Sequence, residues 1–367
     1  MKIHDIALSI ALKEPNVISH LVETFGNAEN VLNASDDELL EEAQLSEKML
    51  LKFSNKKGIM ERAEQELEFC SKFKINILTK YDGNYPENLE ECYDSPLVLY
   101  SKGNIDFNKS PEKWLAVVGT RKNTAVGEYY CTKLVSELAE KHPDVVIVSG
   151  LAYGIDSIAH RAALNYGLKT VAYVAHGLNT IYPSQHRDLA KEIIESGGAI
   201  VTEYPQGMKP YPNNFLSRNR LVAGTSAATI VVETPYKGGA ISTANITDSY
   251  SRELFAMVGR TTDASFTGCN KLIKSCKANM LEDVKDLEYV MGWNETKPDM
   301  CPAQSSLSLS SEEQVVYDCF VAGEEITVDE IVEKTGLSAP ECLLLLTTLE
   351  LNDIIKQVKG MLYVKLK

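Results

Sequence analysis

The chain has 367 residues, 44% hydrophobic and 24% charged, the make-up of a soluble protein with room for two or three domains. No apolar run approaches the ~18 residues that a membrane span needs. The first residues, Met1-Lys2-Ile3-His4-Asp5, meet an acidic side chain early and lack a small-residue cleavage site, so neither a membrane anchor nor a signal peptide is expected.

The net charge of −14 argues, taken alone, against a nucleic-acid partner. Its distribution points the other way. Residues 1–70 hold 7 basic and 14 acidic side chains, and residues 311–367 hold 5 and 11, whereas residues 205–280 hold 9 and 4. A central basic stretch between acidic ends can form a local groove for phosphates. The eight cysteines are scattered, with no C-x-x-C pair. That spacing disfavours a zinc ribbon and predicts reduced, structural thiols in a cytoplasmic protein.

In chain order, residues 1–74 predict a small all-helical domain of SAM or helix-hairpin-helix type. Apolar positions recur at helical spacing in Ile6–Leu12 and Val17–Val22, and Ser35-Asp36-Asp37-Glu38 has the pattern of a capping box. Its acidity predicts an interaction module or scaffold rather than a DNA reader. Residues 75–291 alternate apolar strand candidates (Trp114–Val118, Val145–Ser149, Thr170–Val174, Ala199–Thr202, Thr229–Val232, Leu254–Val258) with helical patterns. That alternation predicts an α/β core with a doubly wound, mostly parallel sheet, whose ligands bind at the carboxyl ends of the strands. Residues 292–311, mixing Pro, Ser, Asn and Thr, predict a linker. Residues 312–367 predict a winged-helix-like domain, with Ile354–Val358 and Met361–Lys365 as its wing. The would-be recognition helix, Ala339–Glu350, contains no Lys or Arg. It cannot neutralise phosphates or grip guanine, so a protein-contacting or packing role is expected instead.

The loops after the strands carry the candidate chemistry. Gly119-Thr120-Arg121 pairs a tight turn with a guanidinium fork that suits a phosphate. Ser149-Gly150-Leu151-Ala152-Tyr153-Gly154-Ile155-Asp156 opens a helix with small residues that let a ligand approach the backbone. Asp156 and His160 share a helix face, but no nucleophile or metal set accompanies them, so no catalytic or metal-binding residue is predicted. Gly177–Pro183 reads as a plain turn. The stretch from Thr202-Glu203-Tyr204-Pro205 through Lys209 to Phe215-Leu216-Ser217-Arg218-Asn219-Arg220 delivers an aromatic and two arginines flanking an asparagine. Stacking plus cationic contact is what a single strand requires. The competing reading places Phe215 in the core and the arginines in internal ion pairs. Lys237-Gly238-Gly239 precedes a helix, a nest of backbone N–H groups with a cation at its mouth. Gly268-Cys269-Asn270-Lys271 is expected to close the same groove.

Taken together, Gly-Thr-Arg at 119–121, Ser-Gly-Leu-Ala-Tyr-Gly-Ile-Asp at 149–156, Thr-Glu-Tyr-Pro at 202–205, Arg-Asn-Arg at 218–220, Gly-Gly-Ala-Ile-Ser-Thr at 238–243 and Gly-Cys-Asn-Lys-Leu-Ile at 268–273 resemble the DNA-processing protein A (DprA/Smf) family. The resemblance implies an extended Rossmann fold that binds single-stranded DNA, forms a homodimer and helps load RecA recombinase during natural transformation, with no cofactor and no enzymatic activity. It implies that Arg121, Gly238–Gly239 and Phe215–Arg220 line the DNA groove. Departures exist: no lysine stands three residues before Phe215, Leu216 replaces a common proline, and His186 replaces a common asparagine. A second reading is a nucleotide-binding enzyme or sensor of phosphoribohydrolase type, with Glu203 or Glu233 as its carboxylate at a loop mouth.

Overall fold

The structure, a computed structural model, describes residues 2–293, 310–320, 325–351, 354–359 and 362–365. The linker expected at 292–311 lies, apart from its ends, outside the described residues. The chain divides into two compact units, Met1–Asn294 and Glu295–Lys367.

The first unit is organised by nine strands: β1 (Asn76–Thr79), β2 (Val98–Gly103), β3 (Trp114–Gly119), β4 (Val146–Ser149), β5 (Lys169–Tyr173), β6 (Ala199–Thr202), β7 (Ala228–Glu233), β8 (Glu253–Met257) and β9 (Asn279–Leu281). They form one sheet in the order β1-β2-β6-β5-β4-β3-β7-β8-β9. From β6 to β9 every pairing is parallel, while β1 and β2 add an antiparallel edge. The expected α/β class with a mostly parallel sheet is the observed one. The central strands are apolar on both faces because both are covered. On β3, Trp114, Ala116 and Val118 enter the core of one face, and Leu115 and Val117 enter that of the other. Helices Pro212–Thr225, Gly239–Ser249 and Thr267–Lys274 cover the first face. Ala125–Lys141 and Ile155–Asn165 cover the second.

Among the described residues, six α-helices and one 3₁₀ turn, Leu51–Phe53, precede the sheet. The longest, Lys56–Phe73, packs along Lys2–Ala11. Ser35 and Glu38 form the reciprocal capping box that their spacing anticipates. The apolar core of this layer continues through Ile75, Leu97, Val98 and Tyr100 onto the antiparallel edge of the sheet. Among the described residues no helix is long and apolar enough to cross a membrane.

The second unit contains helices Ser311–Tyr317, Val328–Thr335 and Ala339–Leu351 and strands β10 (Glu325–Thr327), β11 (Ile355–Lys359) and β12 (Leu362–Lys365), paired β10-β12-β11. Ile331, Leu346, Leu349 and Tyr363 meet in its core. This is a winged-helix arrangement.

The helix Ile155–Asn165 is pinned to the sheet by a buried histidine. His160 Nδ1 lies 2.7 Å from Thr170 Oγ1, which itself donates to the Ile147 carbonyl at 2.8 Å. Because that hydroxyl proton is used, the ring is assigned as the Nδ1–H donor, a neutral imidazole. Burial pushes its pKa down to about 3, with the Arg218 and His186 charges acting in the same direction. The unfolded chain takes up this proton near pH 6.5 and the folded protein does not, so stability falls as pH drops below about 6.5. His160 alone should remove roughly 1.5 kcal/mol between pH 6.5 and 5. Urea unfolding of His160→Asn, which keeps a donor near the Nδ1 position, should show a shallower loss over that window. An identical pH slope in the variant would contradict the assignment.

Candidate nucleic-acid interface

The strand order places the site. From β3 the chain moves outward through β4, β5 and β6, then returns to β7 on the other side of β3 and continues to β8 and β9. Loops leaving β3 and β7 therefore diverge, and a crevice opens at their carboxyl ends. A cavity of about 440 Å³ occupies it, lined by Gly119 at the end of β3, Thr120, Arg121 and Lys122 after it, Gly150, Ala152 and Asp156 after β4, the helix Pro212–Thr225, and the start of the helix Gly239–Ser249.

One buried carboxylate ties the two sides together. Glu233, the last residue of β7, accepts the Thr124 N–H at 3.0 and 3.2 Å. Its carbonyl accepts the Thr120 N–H at 2.7 Å. Gly127 faces the same carboxylate, and a Cβ there would overlap it. The loop carrying Arg121 is thereby clamped at both ends of its turn.

Arg121 is exposed, and its guanidinium carbon lies 5.1 Å from the Phe215 ring centre. Phe215 is half-buried, and the half-exposed ring of Tyr182 lies 5.7 Å away, centre to centre. The three side chains make a row of cation, ring and ring, of which Arg121 and Phe215 line the cavity and Tyr182 lies outside its lining. The helix Gly239–Ser249 begins without a side-chain cap; the Ile241 N–H donates to the Gly238 carbonyl at 3.1 Å, which leaves the Gly239 and Ala240 amides open to an anion.

Beneath the row lie a buried guanidinium and a buried carboxylate that are near each other without forming an ion pair. Arg218 is buried, and its Nη1 donates to the Tyr173 carbonyl at 2.6 Å. Gly150 rests on this guanidinium, which leaves no room for a Cβ. Burial lowers the Arg218 pKa, and the nearby Asp156 opposes that shift. Burial likewise raises the Asp156 carboxyl, against the pull of Arg218 and Arg121. His160 Nδ1 is taken by Thr170, and Asp156 accepts the Ala152 N–H at 3.4 Å.

Of the residues singled out from the sequence, Gly119, Arg121, Gly150, Phe215, Arg218, Asn219 and Gly239 line the cavity. Gly154 and Gly238 cap the two helices that start beside it. Three do not behave as free ligands of the groove. Arg220 points to the other side of its helix, pairs with Glu203 and donates to the Asp94 carbonyl at 2.7 Å. Asn270 uses its amide on both backbone groups of Gly259, at 3.1 and 2.9 Å. Lys271 sits 4.0 Å over the Tyr236 ring and donates to its hydroxyl at 2.8 Å. Lys209 and Lys237 are exposed and lie outside the cavity lining. Tyr182 was missed, because Gly177–Pro183 reads as a turn and its neighbour Phe215 is 33 residues away in sequence.

The basic stretch is also less basic than its count. Two of its cations are matched by acids outside the stretch: Arg220 pairs with Glu203, and Arg252 with Glu91 at 2.9 Å. The carboxylates of the nucleotide-enzyme reading are occupied as well: Glu203 by Arg220, and Glu233 by Thr124.

Comparison with known proteins follows this geometry. Residues 76–291 match the family model for DNA recombination-mediator protein A, and residues 301–361 match the DprA winged helix domain. The chain is 34% identical over 290 residues to protein Smf of Escherichia coli, covering 77% of this chain and 75% of that protein. It resembles the crystal structure of DNA processing protein A from Streptococcus pneumoniae with a TM-score of 0.61 and 29% identity, over 78% of this chain and 97% of that one. A structure of DNA processing protein A from Helicobacter pylori, which addresses that protein's single-stranded DNA binding mode, matches with a TM-score of 0.52 and 29% identity, over 61% of this chain and 98% of that one. The chain belongs to the DNA recombination-mediator protein A (DprA/Smf) family.

Proposed function

We propose that this protein binds single-stranded DNA in the β3–β7 crevice and acts as a recombination mediator that protects incoming DNA and helps load RecA during natural transformation. The observation that carries the reading is the Arg121–Phe215–Tyr182 row beside an uncapped helix start. Splayed bases stack on the two rings, while phosphates meet Arg121 and the helix amides. A duplex keeps its base faces enclosed and cannot use the rings, so single strands should bind more tightly. The Helicobacter pylori relative supports the same ligand. The occupied Glu203 and Glu233 favour a binding role over nucleotide turnover.

Arg121→Ala should weaken oligonucleotide binding about tenfold or more and reduce the salt slope by about 0.7 for the lost phosphate contact. Phe215→Ala and Tyr182→Ala should each cost roughly 1–3 kcal/mol while leaving that slope in place. Fluorescence anisotropy across a salt series reads both effects. Wild-type affinity in Arg121→Ala would remove this crevice as the DNA site.

Family membership supports extending the reading to RecA and to a homodimer. On a strand already coated with single-strand-binding protein, the chain should shorten the lag before RecA filaments form. Light scattering should return twice the chain mass. An unchanged lag would end the mediator reading, and a monomer mass would end the dimer.

A further inference from the structure

The Thr202–Pro205 segment is among the most distinctive pieces of the sequence, yet it takes no part in lining the DNA crevice. Past β6 the chain instead forms one wall of a second cavity, of about 310 Å³, whose opposite wall comes from the helices Lys2–Ala11 and Pro15–Phe25. The helix Pro212–Thr225 separates the two spaces. Phe215, Arg218 and Asn219 face the crevice, whereas Asn214, Ser217 and Arg220 face the second cavity. At 100° per residue these sets fall on opposite sides of the helix.

Most of this lining is apolar, including Ile10, Ile18, Leu97, Pro205 and Met208. Lys13 and Arg62 also line it. Both are exposed, and neither forms an ion pair among the described residues. The neighbouring acids are engaged elsewhere. Glu203 pairs with Arg220, Glu14 with Lys52 at 2.8 Å, and Glu66 accepts the Gln206 N–H at 3.0 Å with each oxygen. Among the described residues, Lys13 is left without an acidic partner, and Arg62 has only the charge of Glu66, four residues on along its helix, to offset it.

We propose that this cavity is a binding site for a small amphiphilic anion: an apolar body of a few rings in the cavity, with one sulfonate, carboxylate or phosphate group met by Lys13 and Arg62. The size suits such a ligand. The site is separate from the DNA crevice and does not depend on the reading of that crevice.

The probe is 8-anilinonaphthalene-1-sulfonate, titrated into the full-length folded protein. One saturable site per chain is expected. The double variant Lys13→Ala/Arg62→Ala should lose about tenfold in affinity for it. N-phenyl-1-naphthylamine, which has the same rings without the sulfonate, should bind both forms alike. Ser217→Trp, which fills the cavity, should abolish binding of both probes. Should that variant fail to fold, the double variant at exposed positions decides alone. Oligonucleotide affinity in the double variant should stay within twofold of wild type. Non-saturable fluorescence, sulfonate affinity unchanged in the double variant, or a parallel tenfold loss of oligonucleotide binding would each overturn the proposal.

Discussion

Glu233 ends β7 as a carboxylate removed from water, held by the backbone N–H of Thr124 across the crevice. Stripped of its partner, a buried carboxylate costs several kcal/mol, so the bond and the loop it holds persist together. Much follows from this contact. The turn after β3 cannot swing away from β7, Arg121 is carried to a defined place at the rim, and Gly127 must remain small because the carboxylate fills the space beside it. Glu233, one of the two carboxylates open to an enzymatic reading of the sequence, is in this structure a strut between two strand ends.

Much of the fold was legible in the sequence because the parallel strands are buried on both sides and so read as unbroken apolar runs. β1, β2 and β9 were less legible. β1 and β9 each expose at least one of their few side chains, and all three lie at or next to a sheet edge, where neighbours rather than composition decide pairing. The site was partly legible. A guanidinium after a strand-end glycine and an aromatic ahead of arginines both led to the crevice. Arg218 and Arg220 could not both serve it, since positions two apart on a helix point about 200° apart. That phase was available in the sequence and separates the two. Asn270 and Lys271 were misleading because their partners, Gly259 and Tyr236, meet them only through tertiary packing. Tyr182 joins Phe215 by the same route.

Charge shows how a strongly acidic chain can still offer an anion site. The excess cations of residues 205–280 are partly neutralised, in pairs with Glu203 and Glu91. At the crevice, attraction rests on few groups: exposed Arg121 and Lys122, the buried Arg218 below, and the amides of an uncapped helix. Such a site binds through position rather than through a broad field. On the proposed reading, the rings supply contacts that a single strand alone can use.

The central claim is that bases stack on Phe215 and Tyr182 beside Arg121. Its most direct test is photocrosslinking of the full chain to single-stranded oligonucleotides carrying 5-iodouracil, followed by peptide mapping of the adducts. The account predicts adducts on Phe215 and Tyr182, suppressed by competing single strands and not by duplex. Adducts confined to the winged-helix unit or to the N-terminal helices, with these two rings unmodified, would contradict it.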